Sequence, residues 1–312
     1  MTYETSPAAK DKSGFRLGID LGGTKIAGIA LDRYGQIRAD CRIAAPQQDY
    51  AATIDALTSV VAGLERDAGG RGSIGIGMPG SISPSTGLVQ NANSTWLNGR
   101  SLKSDLEARL GRPVRLANDA NCFTLSEATD GAAMGAGIVF GVIIGTGCGG
   151  GIVINGQLLD GPRGIGGEWG HNPLPWTNSD EGPGPRCWCG RSGCMETWVS
   201  GPAMAADHAR VTGEHVTAAE IAQRALDGDM NANATLARHA SRLARGLAHV
   251  VNLIDPHVIV LGGGLSQIYS LYRALPAIMN NYVLADDPRV DIRPPKWGDA
   301  SGVRGAAWLW DD

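Results

Sequence analysis

One stretch of the chain carries a clear helical repeat of apolar residues. Between residues 235 and 254, apolar positions recur at the spacing that places them on one face of an amphipathic helix. That face holds Leu236, Ala240, Leu243, Leu247, Val250, Val251 and Ile254. Arg238, Arg242 and Arg245 fall away from it. The pattern therefore predicts a helix with an apolar side and a basic side.

A buried strand is predicted directly after this helix, over residues 257–261. Asp255-Pro256 should end the helix, since proline cannot continue it. The strand runs into three consecutive glycines at residues 262–264. Such a turn lets a flat ring or a phosphate approach closely, but a simple helix-entry turn has the same composition. The segment alone leaves both interpretations open.

Two segments resemble each other, residues 15–32 and residues 138–155. Each reads as an apolar strand, a glycine turn and a second apolar strand, which is the pattern of a β-hairpin. Glycine turns leave backbone N–H groups free, and such groups bind phosphates. One turn of this kind is as often an ordinary hairpin turn. Two at the heads of similar halves predict two related domains that face each other across a cleft.

The glycine turns differ from the common nucleotide-binding motifs. The chain has no G-x-x-x-x-G-K-[ST] sequence, and its glycines connect strand to strand rather than strand to helix. This pattern argues against Walker-type ATPases and against dinucleotide enzymes.

Composition narrows the class of protein. The 312 residues are 43% hydrophobic, enough for a large core and typical of two domains. The formal net charge is −4 and no basic cluster is present, which argues against a nucleic-acid partner. No apolar run reaches the roughly 18 residues of a membrane span, and the polar start predicts a disordered tail over residues 1–14 rather than a signal peptide. We expect a cytoplasmic protein without a membrane partner.

Four potential metal ligands lie within 24 residues of one another. His171, Cys187, Cys189 and Cys194 match the ligands of a closed tetrahedral zinc site, and neighbouring glycines supply turns that bring them together. Scattered thiols, or a disulfide between two of them, are the alternative, although clustered cysteines in a reducing compartment more often bind metal. The sequence predicts a structural zinc loop over residues 171–194.

Asp119 has two interpretations. It follows a short predicted strand and precedes a predicted helix, where Asn and Asp are the preferred capping residues. The carboxyl end of a strand is also where α/β sheets bind ligands, so Asp119 can equally be a general base. Local sequence does not separate the two roles, and one residue can serve both.

Several motifs together resemble the ROK family of bacterial sugar kinases and repressors. They are DLGGTK at residues 20–25, NDAN at 118–121, the glycine run at 145–151, GEWGH at 167–171, the cysteine loop, and GDASGVRGAA at 298–307. The resemblance covers nearly all of residues 15–310. Within the family, residues 91–99 and 170–176 look most like bacterial fructokinases of the manno(fructo)kinase type.

The resemblance implies an α/β fold with two lobes, the actin/hexokinase-like (ribonuclease H-like) ATPase fold with a central cleft and a zinc-binding loop. The small lobe would comprise residues 15–118 plus 297–312, and the large lobe residues 119–296. Family members are commonly homodimers, so a homodimer is expected. The lobes would close on sugar and ATP and keep water from the γ-phosphate.

The resemblance also implies ATP-dependent phosphorylation of a hexose, most of all D-fructose to fructose 6-phosphate, with mannose as a second substrate. N-acetylglucosamine kinase and glucokinase of the same family are the alternatives. A ROK repressor and a non-catalytic sugar sensor are less favoured. The repressors carry a helix-turn-helix ahead of the first hairpin, where this sequence has only residues 1–14. ATP, Mg²⁺ and a structural Zn²⁺ are the implied cofactors.

Site residues carry over by position. Asp119 matches the catalytic base, and Asp20 is expected near Mg²⁺. The implied sugar contacts are Asn93, Asp119, Glu168, His171 and Glu196. The implied ATP contacts are Gly18, Asp20, Gly22, Gly23, Thr24, Lys25, Gly145, Thr146, Gly147, Gly149, Gly150, Gly262 and Gly263. The implied zinc ligands are His171, Cys187, Cys189 and Cys194.

Overall fold

A computed structural model describes residues 14–310. The predicted disordered tail therefore lies almost wholly outside the described residues. Within residues 14–310, no helix has both the length and the apolar character needed to cross a membrane.

The elements alternate between strands and helices. The strands are β1 Phe15–Leu21, β2 Lys25–Leu31, β3 Ile37–Ala44, β4 Gly72–Met78, β5 Ser81–Ile82, β6 Val89–Gln90, β7 Arg115–Asn118, β8 Ile138–Ile144, β9 Cys148–Ile154, β10 Gln157–Leu158, β11 Val258–Gly262 and β12 Ile292–Arg293. The α-helices are α1 Tyr50–Ala68, α2 Leu102–Leu110, α3 Asp119–Thr129, α4 Glu196–Val199, α5 Gly201–Thr212, α6 Ala218–Leu226, α7 Met230–Ile254, α8 Ser270–Met279 and α9 Ser301–Ala307. Short 3₁₀ helices cover Thr95–Leu97, Trp169–His171, Gly264–Gln267 and Gly298–Ala300.

Two five-stranded sheets follow one plan. The first has the order β3-β2-β1-β4-β7 and the second the order β10-β9-β8-β11-β12. In each sheet the predicted hairpin pairs antiparallel, β1 with β2 and β8 with β9. The first strand of each hairpin also pairs parallel with a later strand, β1 with β4 and β8 with β11. The two hairpin predictions are confirmed. The lobe boundaries stay a prediction.

Helices α3 and α9 pack between the two sheets, and their backbones approach each other closely. A Cβ on Gly305 of α9 would lie 1.6 Å from the Cys122 carbonyl oxygen of α3. A Cβ on Gly18 of β1 would lie 2.1 Å from the Val303 carbonyl oxygen of α9. Glycine is therefore required at both contacts, because any side chain would push α9 away from α3 or from β1. This packing fixes the start of α3, where Asp119 lies.

The long helix α7 differs from its sequence prediction in two ways. It begins at Met230, five residues earlier than expected, where the Asp229 side chain accepts a hydrogen bond from the Ala232 backbone N–H. Arg242 and Arg245 are only 2% and 1% exposed, although the helical pattern places them on a basic side. The reason is a second layer: the connection that carries Glu181 packs over this side of the helix.

Glu181 neutralises the buried arginines. Its two carboxylate oxygens accept hydrogen bonds from Arg245 at 2.7 and 2.8 Å and from Arg242 at 3.0 Å. Arg245 also donates to the Trp176 carbonyl oxygen at 2.6 Å. The charged groups thus tie the connection between His171 and Cys187 to the core helix.

Replacing Arg245 with methionine should destabilise the fold by about 3–5 kcal/mol at neutral pH, because a buried carboxylate loses its main partner. Burial alone would raise the pKa of Glu181, but hydrogen bonds from Arg245, Asn178 and Arg242 lower it from 4.5 to about 2. A depressed carboxyl pKa stabilises the fold above the unfolded value and loses that effect as the pH falls toward the folded value. Urea unfolding at pH 7 and pH 3 should therefore show a smaller penalty at pH 3.

Arg289→Met is the matched control for this prediction. Arg289 pairs with Asp287 at the surface, where both side chains are mostly exposed. Exposed pairs add little stability, so this variant should unfold like the native protein. Equal losses in both variants would contradict a special role for the buried pair.

Candidate active site

A cleft of about 970 Å³ collects most of the residues that the sequence singled out. Its walls come from the end of β7, the second hairpin, the 3₁₀ turn at Trp169–His171 and the cysteine loop. The predicted site residues that line it are Asn93, Asp119, Gly145, Thr146, Gly147, Gly149, Glu168, His171, Cys189 and Glu196. Residues far apart in sequence thus converge on one concave surface.

Asp119 is the first residue of α3, and the capping role belongs to its neighbour. The Asn118 side chain accepts a hydrogen bond from the Ala120 N–H at 2.9 Å and is the N-cap. Asp119 Oδ1 also accepts from the Ala120 N–H, at 2.8 Å. The N-cap interpretation of Asp119 is therefore wrong. Its carboxylate is held at a helix N-terminus with the side chain open to the cleft.

Asp119 influences Asp20 across the ends of β7 and β1. Burial, followed by the charge of Asp119, raises the pKa of Asp20 to about 6. Withdrawal from bulk water raises the pKa of Asp119, opposed by the hydrogen bond from Ala120. Two carboxylates that disfavour each other's charge are stabilised by a cation between them. Hard divalent ions such as Mg²⁺ prefer this kind of oxygen ligand.

The second hairpin fixes the acidic residues opposite. Glu196 Oε2 accepts from the Cys148 N–H at 3.1 Å, and a Cβ on Gly147 would lie 2.8 Å from the same oxygen. The Trp169 indole N–H donates to the Gly149 carbonyl oxygen at 3.0 Å. These contacts place Glu168, which precedes Trp169, beside the hairpin. Burial raises the pKa of Glu168, while the nearby His171 lowers it.

Asn93 is presented by a short, braced turn. The Asn98 side chain accepts from the Ala92 N–H and donates to the Ala92 carbonyl oxygen, both at 2.9 Å. Asn91 adopts a left-handed backbone conformation with φ of 58°. The bracing leaves the Asn93 side chain exposed toward the cleft.

The four predicted metal ligands come together. The ligand atoms of His171, Cys187, Cys189 and Cys194 all lie within 4.8 Å of one another. Cys189 Sγ and Cys194 Sγ are 3.6 Å apart, as are Cys187 Sγ and His171 Nδ1. Tetrahedral zinc with bonds of about 2.0–2.3 Å places its ligand atoms roughly 3.5–3.7 Å apart. The donor set and its spacing fit zinc.

A second cavity, of about 850 Å³, meets the cleft at the tip of the second hairpin. Gly145 and Thr146 line both cavities. The second cavity lies between α5, α6 and the turn after β11, and its walls are largely apolar, including Ala222, Leu236 and Leu265. Such a surface suits a flat aromatic ring.

Three of the predicted ATP contacts are closely packed glycines. Gly18, Gly150 and Gly262 are buried. A Cβ on Gly150 would lie 2.6 Å from Trp169, and one on Gly262 would lie 2.5 Å from Phe123. Gly18 lies against α9, as described above. This packing explains why glycine is needed at the three positions, and their role as ATP contacts stays a prediction.

Apart from Asp20, the predicted ATP contacts that neither line the cleft nor belong to the three packed glycines lie at the surface. Gly23, Thr24, Lys25 and Gly263 are exposed, and Gly22 is partly exposed. Gly263 has a φ of 78°, and a Cβ there would lie 2.5 Å from the Ile144 carbonyl oxygen. This close approach sets the third glycine turn against the end of β8, next to the second hairpin. The first hairpin does not line either cavity in the described part of the chain.

Sequence reasoning missed Trp188 and Arg191, which also line the cleft. Both lie inside the cysteine loop, where the ligand pattern dominates the interpretation. Their direction depends on the path of the loop, which spacing does not reveal. The available signal for Trp188 was a large aromatic residue directly between two ligand cysteines. A side chain of that size must point away from the metal site.

Comparison with known proteins gives consistent results. The ROK family model matches residues 16–312. An N-acetyl-D-glucosamine kinase of Photobacterium profundum is 39% identical over 296 residues, which cover 94% of this chain and 98% of the relative.

Solved structures match as well. A ROK hexokinase from Thermus thermophilus superimposes with a TM-score of 0.84 at 33% identity, covering 94% of this chain and 97% of that one. A ROK family glucokinase from Streptomyces griseus, in complex with glucose and AMPPNP, gives a TM-score of 0.76 at 29% identity, covering 95% and 99%. The fold is thus the mixed α/β fold of hexokinase-like structures, and this chain belongs to the ROK family.

Proposed function

We propose that the protein transfers the γ-phosphoryl group of ATP to a primary hydroxyl of a hexose. The observation that carries this proposal is the junction of two cavities at Gly145 and Thr146. One cavity carries acidic and amide side chains, Asp119 among them, and the other is largely apolar. A phosphoryl donor in one cavity and an acceptor in the other would meet at the glycine tip, where the lack of side chains lets a phosphate approach the backbone closely.

Asp119 is the proposed general base. Its carboxylate lies on the cleft wall beside the hairpin tip, free to accept a proton from a sugar hydroxyl. The hydroxyl becomes acidic only as its bond to phosphorus forms, so the main task of the base is to orient the attacking oxygen. A carboxylate that is fixed at the start of α3 meets that requirement.

The acceptor would be held by the groups that face Asp119. Glu168, Glu196 and Asn93 offer acceptors and an amide in fixed directions, which suits a ring of hydroxyls. His171 turns Nδ1 toward Cys187, so its other ring nitrogen is available to the sugar. Removal of water by lobe closure would protect the transferred group.

Two metal ions belong to the proposal. Zinc on His171, Cys187, Cys189 and Cys194 would rigidify the loop that positions His171 and Glu196. Mg²⁺ would neutralise the polyphosphate near Asp20. The charge of Asp119 makes a negative charge on Asp20 unfavourable, and a cation would relieve that repulsion. The four clustered ligand atoms fit zinc, and the Asp20 carboxylate offers the kind of oxygen ligand that Mg²⁺ prefers.

The choice of hexose remains part of the proposal. The relatives matched by sequence are named N-acetyl-D-glucosamine kinases, which favours N-acetylglucosamine over the fructose expected from sequence. Fructose is the second candidate, because the contexts of residues 91–99 and 170–176 resemble fructokinases. Asn93, His171 and Asn172 from those contexts line the cleft.

A coupled assay of ADP formation should separate the acceptors. We expect ATP-dependent turnover with N-acetylglucosamine, fructose, mannose or glucose, with the highest kcat/KM for N-acetylglucosamine. The highest kcat/KM for fructose would instead support the fructokinase hypothesis. Sugar binding without any ADP formation would contradict the kinase proposal and favour a sugar sensor.

A further inference from the structure

An exposed tryptophan is an unusual component of a polar cleft. Trp188 lies between the metal-ligand candidates Cys187 and Cys189, and 66% of its surface is exposed. It nevertheless lines the cleft. Large exposed aromatic rings in concave sites commonly contact a ligand.

Two contacts fix the orientation of this ring. The Trp188 indole N–H donates to Glu196 Oε1 at 2.7 Å. The ring also meets the imidazole of His171 edge to face, with centroids 4.8 Å apart and planes at 87°. The indole therefore spans the corner of the cleft between His171 and Glu196.

Glu196 depends on the same contact. Its other oxygen accepts from the Cys148 N–H, so the carboxylate is held between the second hairpin and the indole. Moving the indole aside would break a charge-assisted hydrogen bond and release Glu196. The space between His171 and Glu196 therefore cannot widen without loss of this hydrogen bond.

We propose that Trp188 determines acceptor specificity by limiting the size of the hexose substituent that fits between His171 and Glu196. This inference rests on the proposed function, since it concerns the acceptor end of the same cleft. A hydroxyl group fits the corner and can bond to both neighbours. An acetamido group must share the corner with the indole, so it fits less freely than it would without the ring. The ring therefore lowers the relative efficiency with N-acetylated hexoses, whichever acceptor is best.

Glucose and N-acetylglucosamine provide the sharpest comparison, because they differ only in the substituent at C2. In Trp188→Ala, the ratio of kcat/KM for N-acetylglucosamine to kcat/KM for glucose should rise about tenfold, a typical effect of pocket size on selectivity. Trp188→Phe keeps most of the ring but loses the N–H donor. It should keep a ratio near the native one while kcat/KM falls for both sugars.

Trp176→Ala is the matched control. Trp176 is also exposed and lies in the connection between His171 and Cys187, shortly before Trp188 in the chain. It contacts Tyr282 and His249 and does not line the cleft. Trp176→Ala should keep the native ratio of kcat/KM for N-acetylglucosamine to kcat/KM for glucose. Metal content, measured for each variant, shows whether the cysteine loop is intact.

An unchanged or lower ratio in Trp188→Ala, with the metal retained, would overturn the inference. Calorimetric affinities for the two sugars give the same ratio without turnover. A native protein that binds both sugars but phosphorylates neither would contradict the proposed function, and its affinity ratio would still test Trp188.

Discussion

Asp119→Asn should lower kcat by a factor of about 10²–10⁴, the range expected when a general base is removed. The asparagine keeps the size and shape of the side chain, and its oxygen can still accept the Ala120 N–H that Asp119 accepts now. Helix α3 keeps its N-cap, because that role belongs to Asn118. Sugar affinity should therefore survive while turnover is lost.

Steady-state kinetics with the best acceptor, together with calorimetric sugar affinity, checks this split between kcat and binding. Asp160→Asn is a suitable control. Asp160 lies near the same helix and accepts a hydrogen bond from Asn121, but it does not line the cleft. The control should turn over like the native enzyme. A loss of sugar affinity in Asp119→Asn with kcat preserved would contradict the role as base.

Removal of metal from the proposed zinc site should lower both thermal stability and sugar affinity. The ligand atoms of three cysteines and one histidine lie within 4.8 Å of one another, and without zinc they would lack the bonds that we propose hold them there. The loop would then no longer fix His171 and Glu196 on the cleft wall. We expect Cys189→Ser to lower the Tm by several degrees and to raise the KM for the hexose, because structural metal binding is coupled to folding.

The measurement combines elemental analysis, expected to find one zinc per chain, with thermal unfolding before and after chelation. Cys41→Ser is the control, since Cys41 lies in β3, outside the metal cluster. It should retain the metal and the sugar affinity. An unchanged Tm after confirmed loss of the metal would argue against a structural zinc.

Periodic features of the sequence predicted the fold well. Both hairpins form where the apolar-glycine-apolar pattern placed them, because the pattern fixes strand and turn locally. The cysteine spacing likewise predicted that the four candidate metal ligands come together, while the zinc itself stays a proposal. These features depend on neighbours in sequence, which is why sequence reasoning could reach them.

Features that depend on distant layers were not predictable. Arg242 and Arg245 have a solvent-facing pattern along their helix, and only the connection with Glu181 makes their side buried. Gly18 belongs to a phosphate-binding motif by sequence, yet α9 packs on it. Trp188 faces the cleft because of the loop path. In each case a segment remote in sequence decides the environment of the residue.

A crystal structure with a hexose and a non-hydrolysable ATP analogue tests the central claim most directly. The hexose should lie between Asp119 and the residues Glu168, His171 and Glu196, with its primary hydroxyl about 2.6–3.2 Å from the Asp119 carboxylate. The terminal phosphate should lie at the tip formed by Gly145 and Thr146. A hexose whose primary hydroxyl points away from Asp119, or a nucleotide bound outside the second cavity, would contradict the proposed kinase site.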